Sequence, residues 1–282
     1  MSLTGTARLA GVMGWPVAHS RSPALHGFWL AEHGIDGAYL PLPVKPENLR
    51  RSLEALAMMG FAGCNLTIPH KEDALNIVDQ IDDTARRAGA INTVVVDQHG
   101  RLVGSNSDMF GFLEALRAAV PGWSARTGPA VVLGAGGAAR GVVAALIDDG
   151  AAEIRLVNRT PARTQRLAKE LGGTIYGVPW EERAAALAGA ALLVNATSLG
   201  LEGQTALELS LDKLPPDAVV NDIVYVPLET PLLAAALARG NRAVDGLDML
   251  LHQARPGFAA WFGVEPKVTP ALRQALVKTF EE

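Results

Sequence analysis

Short apolar runs alternate with segments of helical spacing along most of the chain. Leu9–Met13, Tyr39–Leu42, Cys64–Thr67 and Ile91–Val96 read as strands, and His26–His33, Leu49–Met59 and Glu72–Ile81 as helices between them. Strands separated by helices predict βαβ units and a mostly parallel sheet. Asp97-Gln98-His99-Gly100 predicts a hairpin turn with Arg101–Gly104 returning, and so one antiparallel edge strand. A helix follows from Ser107 to Ala119. The polar loop from Pro121 to Pro129, bounded by Pro and Gly, marks the entrance to a second domain.

A new alternation begins there. Ala130–Leu133, Ile154–Val157, Thr174–Tyr176, Leu192–Ala196, Val219–Ile223 and Arg242–Val244 read as strands, with helices that include Ala138–Asp148 and Thr164–Leu171. Six strands with crossover helices predict one doubly wound domain. The tail after Gly246 is helical, too short to stand alone, and expected to pack back onto the first domain.

The first strand of the second alternation runs directly into Gly134-Ala135-Gly136-Gly137-Ala138-Ala139. In this G-x-G-x-x-A pattern Gly134 allows a tight turn and Gly136 lets backbone approach a pyrophosphate. The small Ala139 lets helix and strand pack closely. The helix that follows presents free N–H groups and its positive dipole end to an anion. A lone glycine pattern is weak, but strand, turn and helix in this order predict a dinucleotide site. The next strand ends at Asn158-Arg159-Thr160 with Arg163 one turn later, and no carboxylate stands there to bond a ribose 2′-hydroxyl. Two guanidiniums suit a 2′-phosphate, which favours NADP over NAD. The competing reading is that Arg159, Arg163 and Arg166 form a solvated helix face.

Composition narrows the classes. The chain has 282 residues, 49% hydrophobic and 19% charged, with a net charge of −4, which excludes a disordered protein. The single cysteine, Cys64, excludes a disulfide scaffold and a thiolate metal site, and reads as a buried small hydrophobe. Six histidines show no metal-ligand spacing, so no metal is expected. The mildly acidic balance argues against nucleic acid and anionic membrane as partners. The longest strongly apolar stretch, about Ala184 to Val194, falls far short of the roughly 20 residues of a membrane helix. Met1 to Arg8 carries no signal-peptide pattern. A soluble cytoplasmic protein, monomer or homodimer, is the expectation.

Three polar clusters fall beside strand ends of the first domain, where open α/β sheets bind ligands. Ser20 and Ser22, with Pro23 behind them, can hold a carboxylate or phosphate, and Ser22 can equally cap a helix. Lys71 follows Asn65-Leu66-Thr67-Ile68-Pro69-His70 at a predicted helix start, where the dipole disfavours a cation, so it is either a solvated surface residue or a functional one. Asn92 lies in Gly89-Ala90-Ile91-Asn92-Thr93, and Asp108 closes Asn106-Ser107-Asp108 in the first turn of a helix. Capping and catalysis at a domain junction both explain that acid.

Taken together these segments resemble the shikimate dehydrogenase family, over nearly the whole chain. The matching motifs are Ser20-Arg21-Ser22-Pro23, Asn65 to Lys71, Gly89 to Thr93, Asn106 to Asp108, Gly134 to Ala138 and Asn158 to Thr160. Asn195-Ala196-Thr197-Ser198, Asp222 to Pro227, and Gly246-Leu247-Asp248-Met249-Leu250 through Gln253 complete them. The resemblance implies two α/β domains: an N-terminal substrate domain with a mostly parallel sheet and a Rossmann-type NADP domain, with an active-site cleft between them. The boundaries expected are 1–108 with 246–282 for the first and 109–245 for the second.

It further implies NADPH-dependent, reversible reduction of 3-dehydroshikimate to shikimate, in aromatic amino-acid biosynthesis. Lys71 and Asp108 would be the catalytic pair. Ser20 and Ser22 would hold the substrate carboxylate, and Thr67, Asn92, Tyr225 and Gln253 the ring and its hydroxyls. Gly134, Ala135, Gly136, Gly137 and Ala138 would cradle the pyrophosphate, and Asn158, Arg159, Thr160 and Arg163 would take the 2′-phosphate. Thr197, Ile223 and Gly246 would line the nicotinamide side, and Asp83 is a further, weaker assignment to the cofactor.

The family usually has Asn at the position of Gly27, Thr at Ser107 and Val at Leu66; none of these departures removes a reacting group. Two rival readings stand beside this one. The first is a quinate/shikimate dehydrogenase using NAD, against which Asn158-Arg159 counts. The second is a non-catalytic dinucleotide sensor, against which the retention of Lys71 and Asp108 counts.

Overall fold

Alternating burial and strand pairing build two sheets from this pattern. In a computed structural model the described residues are 3–280; Met1 and Ser2 of the N-terminal segment and Glu281 and Glu282 of the tail lie outside them. They form two compact units. One comprises the described residues through Asp108 together with those from Leu251 onward, and the other is Met109–Leu250.

The first unit contains β1 (Arg8–Gly14), α1 (Ser22–Glu32), β2 (Gly37–Pro43), α2 (Leu49–Met58), β3 (Gly63–Leu66), β4 (Gln80–Ile81), α3 (Asp83–Ala88), β5 (Thr93–Val96) and β6 (Leu102–Ser105). β1 pairs in parallel with β2 and β3, and its buried run from Ala10 to Gly14 suits a strand covered on both faces. The sheet order is β2-β1-β3-β5-β6-β4. The hairpin forms where expected, because the Asp97 carboxylate accepts the N–H groups of His99 and Arg101 and closes the turn.

Two expectations fail here. The antiparallel strand is not an edge strand: β5 is internal, antiparallel to both β3 and β6, and the two-residue β4 adds in parallel on the far side of β6. The helix expected over Glu72–Ile81 is only a 3₁₀ turn, Asp73–Asn76. The chain then leaves helical geometry to pair with β6, with the Asp79 N–H donating to the Leu102 carbonyl and the Asp79 carboxylate accepting from the Leu102 N–H.

The second unit contains most of α4 (Asp108–Ala119), then β7 (Ala130–Leu133), α5 (Gly137–Asp148), β8 (Ile154–Asn158), α6 (Pro161–Leu171), β9 (Ile175–Pro179), β10 (Leu192–Asn195), β11 (Val219–Asp222), α7 (Pro231–Ala238) and β12 (Arg242–Val244). All six strands are parallel, in the order β12-β11-β10-β7-β8-β9. Counted within the unit this is 6-5-4-1-2-3, the Rossmann order, with its switch point beside β7. The wholly apolar Ala130–Leu133 is buried throughout.

α8 (Gly246–Phe262) and α9 (Pro270–Lys278) end the chain. From Leu251 onward they belong to the first unit, where Phe258 and Trp261 are core residues. The Trp261 indole N–H donates to the Val94 carbonyl at 3.0 Å. Gly63 is what admits it: a Cβ there would lie 2.3 Å from the indole nitrogen and 2.0 Å from the Val94 oxygen. The Trp29 indole likewise donates to the Lys267 carbonyl.

His26 of α1 sits inside this aromatic core, fully buried and stacked on Tyr39 at 3.9 Å. Neither ring nitrogen has a hydrogen-bond partner. Burial pushes its pKa down from 6.5 to about 3. The folded state therefore refuses a proton that the unfolded chain accepts. The group is neutral to stability above pH 6.5 and costs about 1.4 kcal/mol per pH unit as pH falls from there towards 3. Between pH 7 and pH 5, urea unfolding of the wild type should lose about 2 kcal/mol more than that of His26→Phe, which keeps a ring but cannot titrate. Parallel pH responses would refute this account of His26.

Candidate active site

The antiparallel β5 decides where the polar residues of the first unit meet. β1, β3 and β6 end at the same side of the sheet at which β5 begins, since Asn65 faces Thr93 and Thr93 faces Ser105 in the register. The loop carrying Ser20, the turn from Thr67 to Lys71, Asn92, and the segment Asn106–Asp108 all stand at that edge.

Their centre is an ion pair. Lys71 Nζ donates to Asp108 Oδ2 at 2.7 Å, with side chains 31% and 25% exposed, so both can be reached from solvent. The other carboxylate oxygen accepts from Asn92 Nδ2 at 2.8 Å. Asn92 Oδ1 accepts the Ser107 N–H at 2.9 Å, with the hydroxyls of Ser107 and Thr93 on the same atom. Gln253 of α8 approaches from the tail, its Oε1 accepting from Asn92 Nδ2 at 3.4 Å.

Local structure fixes each member. The Asp108 N–H donates to Asn106 Oδ1, while Asn106 Nδ2 donates to the Ala90 carbonyl. The Lys71 carbonyl accepts from the Ile91 N–H, and the buried His70 ring bonds the Val44 carbonyl at 2.8 Å. Asp108 stands in the first turn of α4, but its carboxylate takes Lys71 and Asn92 rather than helix N–H groups, so capping does not explain it. Nor does Lys71 begin an α-helix, so the dipole objection to a cation there falls away.

Thr67 bonds back through its N–H to the Met13 carbonyl, and its methyl lies where a Cβ on Gly14 would come within 2.4 Å. The Ser22 N–H donates to Ser20 Oγ at 3.3 Å. Ser22 does not cap α1; the N-cap residue is Arg21, which makes no side-chain cap bond.

In the second unit Gly134 turns the chain at φ +106°, and a Cβ there would press on the Ala196 carbonyl at 2.8 Å. Ala135 is buried. Gly136 is the N-cap of α5 with no side-chain cap bond, and Gly137 and Ala138 of the first turn are exposed. Nothing lies within 4 Å of a Cβ on Gly136. Open space beside an uncapped N-terminus fits a phosphate. At the end of β8, Asn158 Nδ2 donates to the Thr160 carbonyl. Arg159 and Arg163 are exposed and make no ion pair among the described residues, whereas Arg166 pairs with Glu170 at 3.8 Å. All three are exposed, as both readings require.

Thr197 is tied by its N–H and hydroxyl to Asn195 Oδ1. Ile223 follows β11, and Gly246 packs on it so closely that a Cβ would lie 2.2 Å from the Ile223 carbonyl oxygen. Behind them Asp222 is fully buried, accepting from Asn195 Nδ2, the Val224 N–H and Thr230 Oγ1. Burial raises its pKa, and those three bonds oppose the rise.

Ser20, Ser22, Thr67, Lys71, Asn92, Asp108 and Gln253 thus gather in the first unit. Gly134 to Ala138, Asn158 to Thr160, Arg163, Thr197, Ile223 and Gly246 gather in the second. Tyr225, the remaining substrate-side assignment, belongs to the second unit. Asp83 stands in the first, fully exposed and paired with Arg86 at 3.8 Å. Asn65 and Tyr39 join the first network without having been singled out for it. The one hint in the sequence was a polar Asn inside the otherwise apolar β3. Among the described residues no group of three or more His, Cys, Asp or Glu side chains could hold a metal, and no helix is long and apolar enough to cross a membrane.

Comparison with known proteins agrees with this division. Residues 12–94 match the family model of the shikimate dehydrogenase substrate binding domain, and residues 119–202 that of shikimate / quinate 5-dehydrogenase. A relative from Paramagnetospirillum magneticum, named shikimate dehydrogenase (NADP(+)), is 61% identical over 96% of this chain and 98% of its own. The shikimate 5-dehydrogenase of Thermus thermophilus, solved with NADP(H) and shikimate, is 41% identical at a TM-score of 0.84, covering 96% of this chain and 99% of that one. The quinate dehydrogenase of Corynebacterium glutamicum, solved with NAD, is 31% identical at 0.89 with the same coverage. With the Lys71–Asp108 ion pair, the Rossmann order and these relatives along nearly its full length, the chain belongs to the shikimate dehydrogenase family.

Proposed function

We propose that this protein catalyses the reversible, NADPH-dependent reduction of 3-dehydroshikimate to shikimate, a cytoplasmic step of aromatic amino-acid biosynthesis. The observation that carries it is the Lys71–Asp108 pair at 2.7 Å, partly open to solvent and bonded to Asn92. A buried structural salt bridge has no need of that access.

The nicotinamide, when bound, supplies or receives the hydride at the carbon of the reacting group. Lys71 Nζ gives a proton to the oxygen as negative charge develops there, and takes it back in the oxidation direction. Asp108 holds the ammonium through Oδ2 and has its own orientation set by Asn92 through Oδ1. Ser20 and Ser22 hold the substrate carboxylate. Thr67, Asn92, Gln253 and Tyr225 bond the ring hydroxyls. The first-turn N–H groups of α5 take the pyrophosphate, and Arg159 and Arg163 with Asn158 and Thr160 take the 2′-phosphate. Thr197, Ile223 and Gly246 border the nicotinamide. Asp83, exposed and in the other unit from these groups, is the least supported assignment.

The second reading, oxidation of quinate with NAD, draws on the Corynebacterium glutamicum neighbour. Asn158 at the tip of β8, with two free guanidiniums after it, supports NADP instead.

Assays of shikimate and quinate, each with NADP and NAD, followed by nicotinamide absorbance, should give the highest kcat/KM for shikimate with NADP; a preference for quinate with NAD would reverse the reading. Lys71→Ala should lower kcat by about 10²–10⁴-fold while the dissociation constant for NADP changes little, and unchanged turnover would remove Lys71 from the mechanism. Arg159→Ala should raise KM for NADPH by about tenfold and leave KM for NADH nearly unaltered; equal effects on both would dismiss the clamp.

A further inference from the structure

Ser20 and Ser22 offer a carboxylate hydroxyls and N–H groups but no charge, and Lys71 already has its charge matched by Asp108. Two further cations, Lys45 and Arg21, stand at the same edge of the first sheet. Neither makes an ion pair among the described residues; each lies over an aromatic ring instead.

Lys45 comes two residues after β2. Pro43 of that strand pairs with Gly14 of β1, and the Val44 N–H donates to the Gly14 carbonyl at 3.1 Å. Pro46 confines the Lys45 backbone to extended geometry, and the Lys45 carbonyl accepts from the Asn48 N–H at 2.9 Å. The Lys45 ammonium lies 5.6 Å from the centroid of the Trp15 ring. Trp15 is 44% exposed, and its N–H donates to the Ile68 carbonyl at 3.1 Å, which ties its backbone to the turn that carries Thr67 and Lys71. Arg21 stands between the two serines as the N-cap residue of α1, with its guanidinium 5.6 Å from the centroid of the Phe280 ring. A carboxylate partner would cancel the field of either cation. An aromatic face holds a cation in place and leaves its charge unspent.

We propose that Lys45 and Arg21, parked on Trp15 and Phe280, supply the positive field that concentrates an anionic substrate at Ser20 and Ser22, without taking part in proton transfer. This rests on the reading above, in which the serine pair holds a carboxylate. The chain as a whole, at −4, does not attract such a ligand, so the attraction has to be local. The field of an exposed charge reaches about 30 Å at 0.01 M salt and about 8 Å at 0.15 M, so neither cation has to touch the bound substrate.

The test compares the wild type with Lys45→Gln, Lys45→Glu and Arg21→Gln. In each, kcat/KM for shikimate is measured at saturating NADP while ionic strength rises from about 0.01 M to about 0.5 M, and shikimate affinity is followed by calorimetry on the cofactor-free protein. At the lowest salt each Gln variant should lose about twofold in kcat/KM and in affinity, and Lys45→Glu about fourfold, with kcat at saturating shikimate little changed. All three should converge on the wild type at high salt. Wild-type values in the variants at low salt overturn the proposal. So do equal losses in Lys45→Gln and Lys45→Glu, or losses that persist at high salt, since a packing role would scale with neither charge nor screening. A wild type that neither binds nor oxidises shikimate overturns the reading of the site itself and this proposal with it. That outcome is distinct from an active wild type whose salt response the substitutions leave alone.

Discussion

The Asn92 carboxamide is 2% exposed, and each of its polar positions is taken. Its oxygen faces the Ser107 N–H, a backbone group that can only donate, so the amide nitrogen has to face Asp108. That leaves the second oxygen of Asp108 for Lys71. The orientation of the ion pair is therefore inherited from one main-chain N–H through one side-chain amide. Aspartate at 92 could not donate to Asp108. An apolar residue there would leave the Ser107 N–H buried without a partner, at a cost of about 1–3 kcal/mol. Charge and solvent access belong to Lys71 and Asp108, but the geometry is set behind them.

The second unit solves the same problem with a buried carboxyl. Asp222 ends β11 with no exposure and gathers donors from β10, from the following turn and from Thr230. Through Asn195 it orders Thr197, and Ile223 follows it directly in the chain. Gly246 then seats against Ile223 with no room for a side chain. Lys71, Asp108 and Thr197 are partly exposed. The groups that fix them are buried, polar and fully bonded, the combination that makes such networks rigid.

How much of this was legible depends on distance along the chain. β7 begins and ends where its hydrophobic run does, because a strand covered on both faces reads as an uninterrupted apolar segment. The phosphate turn was legible because its glycines, strand and helix are contiguous. Glu72–Ile81 misled because its apolar spacing serves a 3₁₀ turn and then the short β4, whose pairing partner β6 lies some twenty residues ahead. The true edge of the sheet was hidden for the same reason, since β4, which takes that place beyond β6, is too short to announce itself. The bond between Tyr39 and Asn65 was not legible because they meet across an intervening strand, and no local pattern encodes that contact.

Charge was the least legible property in the composition and the most informative in place. With a net charge of −4 the chain offers no general attraction to an anionic dinucleotide. Within the second unit Arg140, Arg155 and Arg166 each have a carboxylate partner, while Arg159 and Arg163 have none among the described residues. An unpaired guanidinium on a solvated turn costs the fold little, and substituting it leaves no buried partner stranded. On the proposed function, discrimination between NADP and NAD then rests on two side chains with no structural duty. Lys71 is the opposite case: its charge is already spoken for by Asp108, so a substrate must share that pair rather than supply its missing half. Cofactor preference can therefore drift at the end of β8 without touching the fold. On the same proposal Lys71 cannot drift, because its partner Asp108 is held by Asn92, and Asn92 through Asn65 to the core.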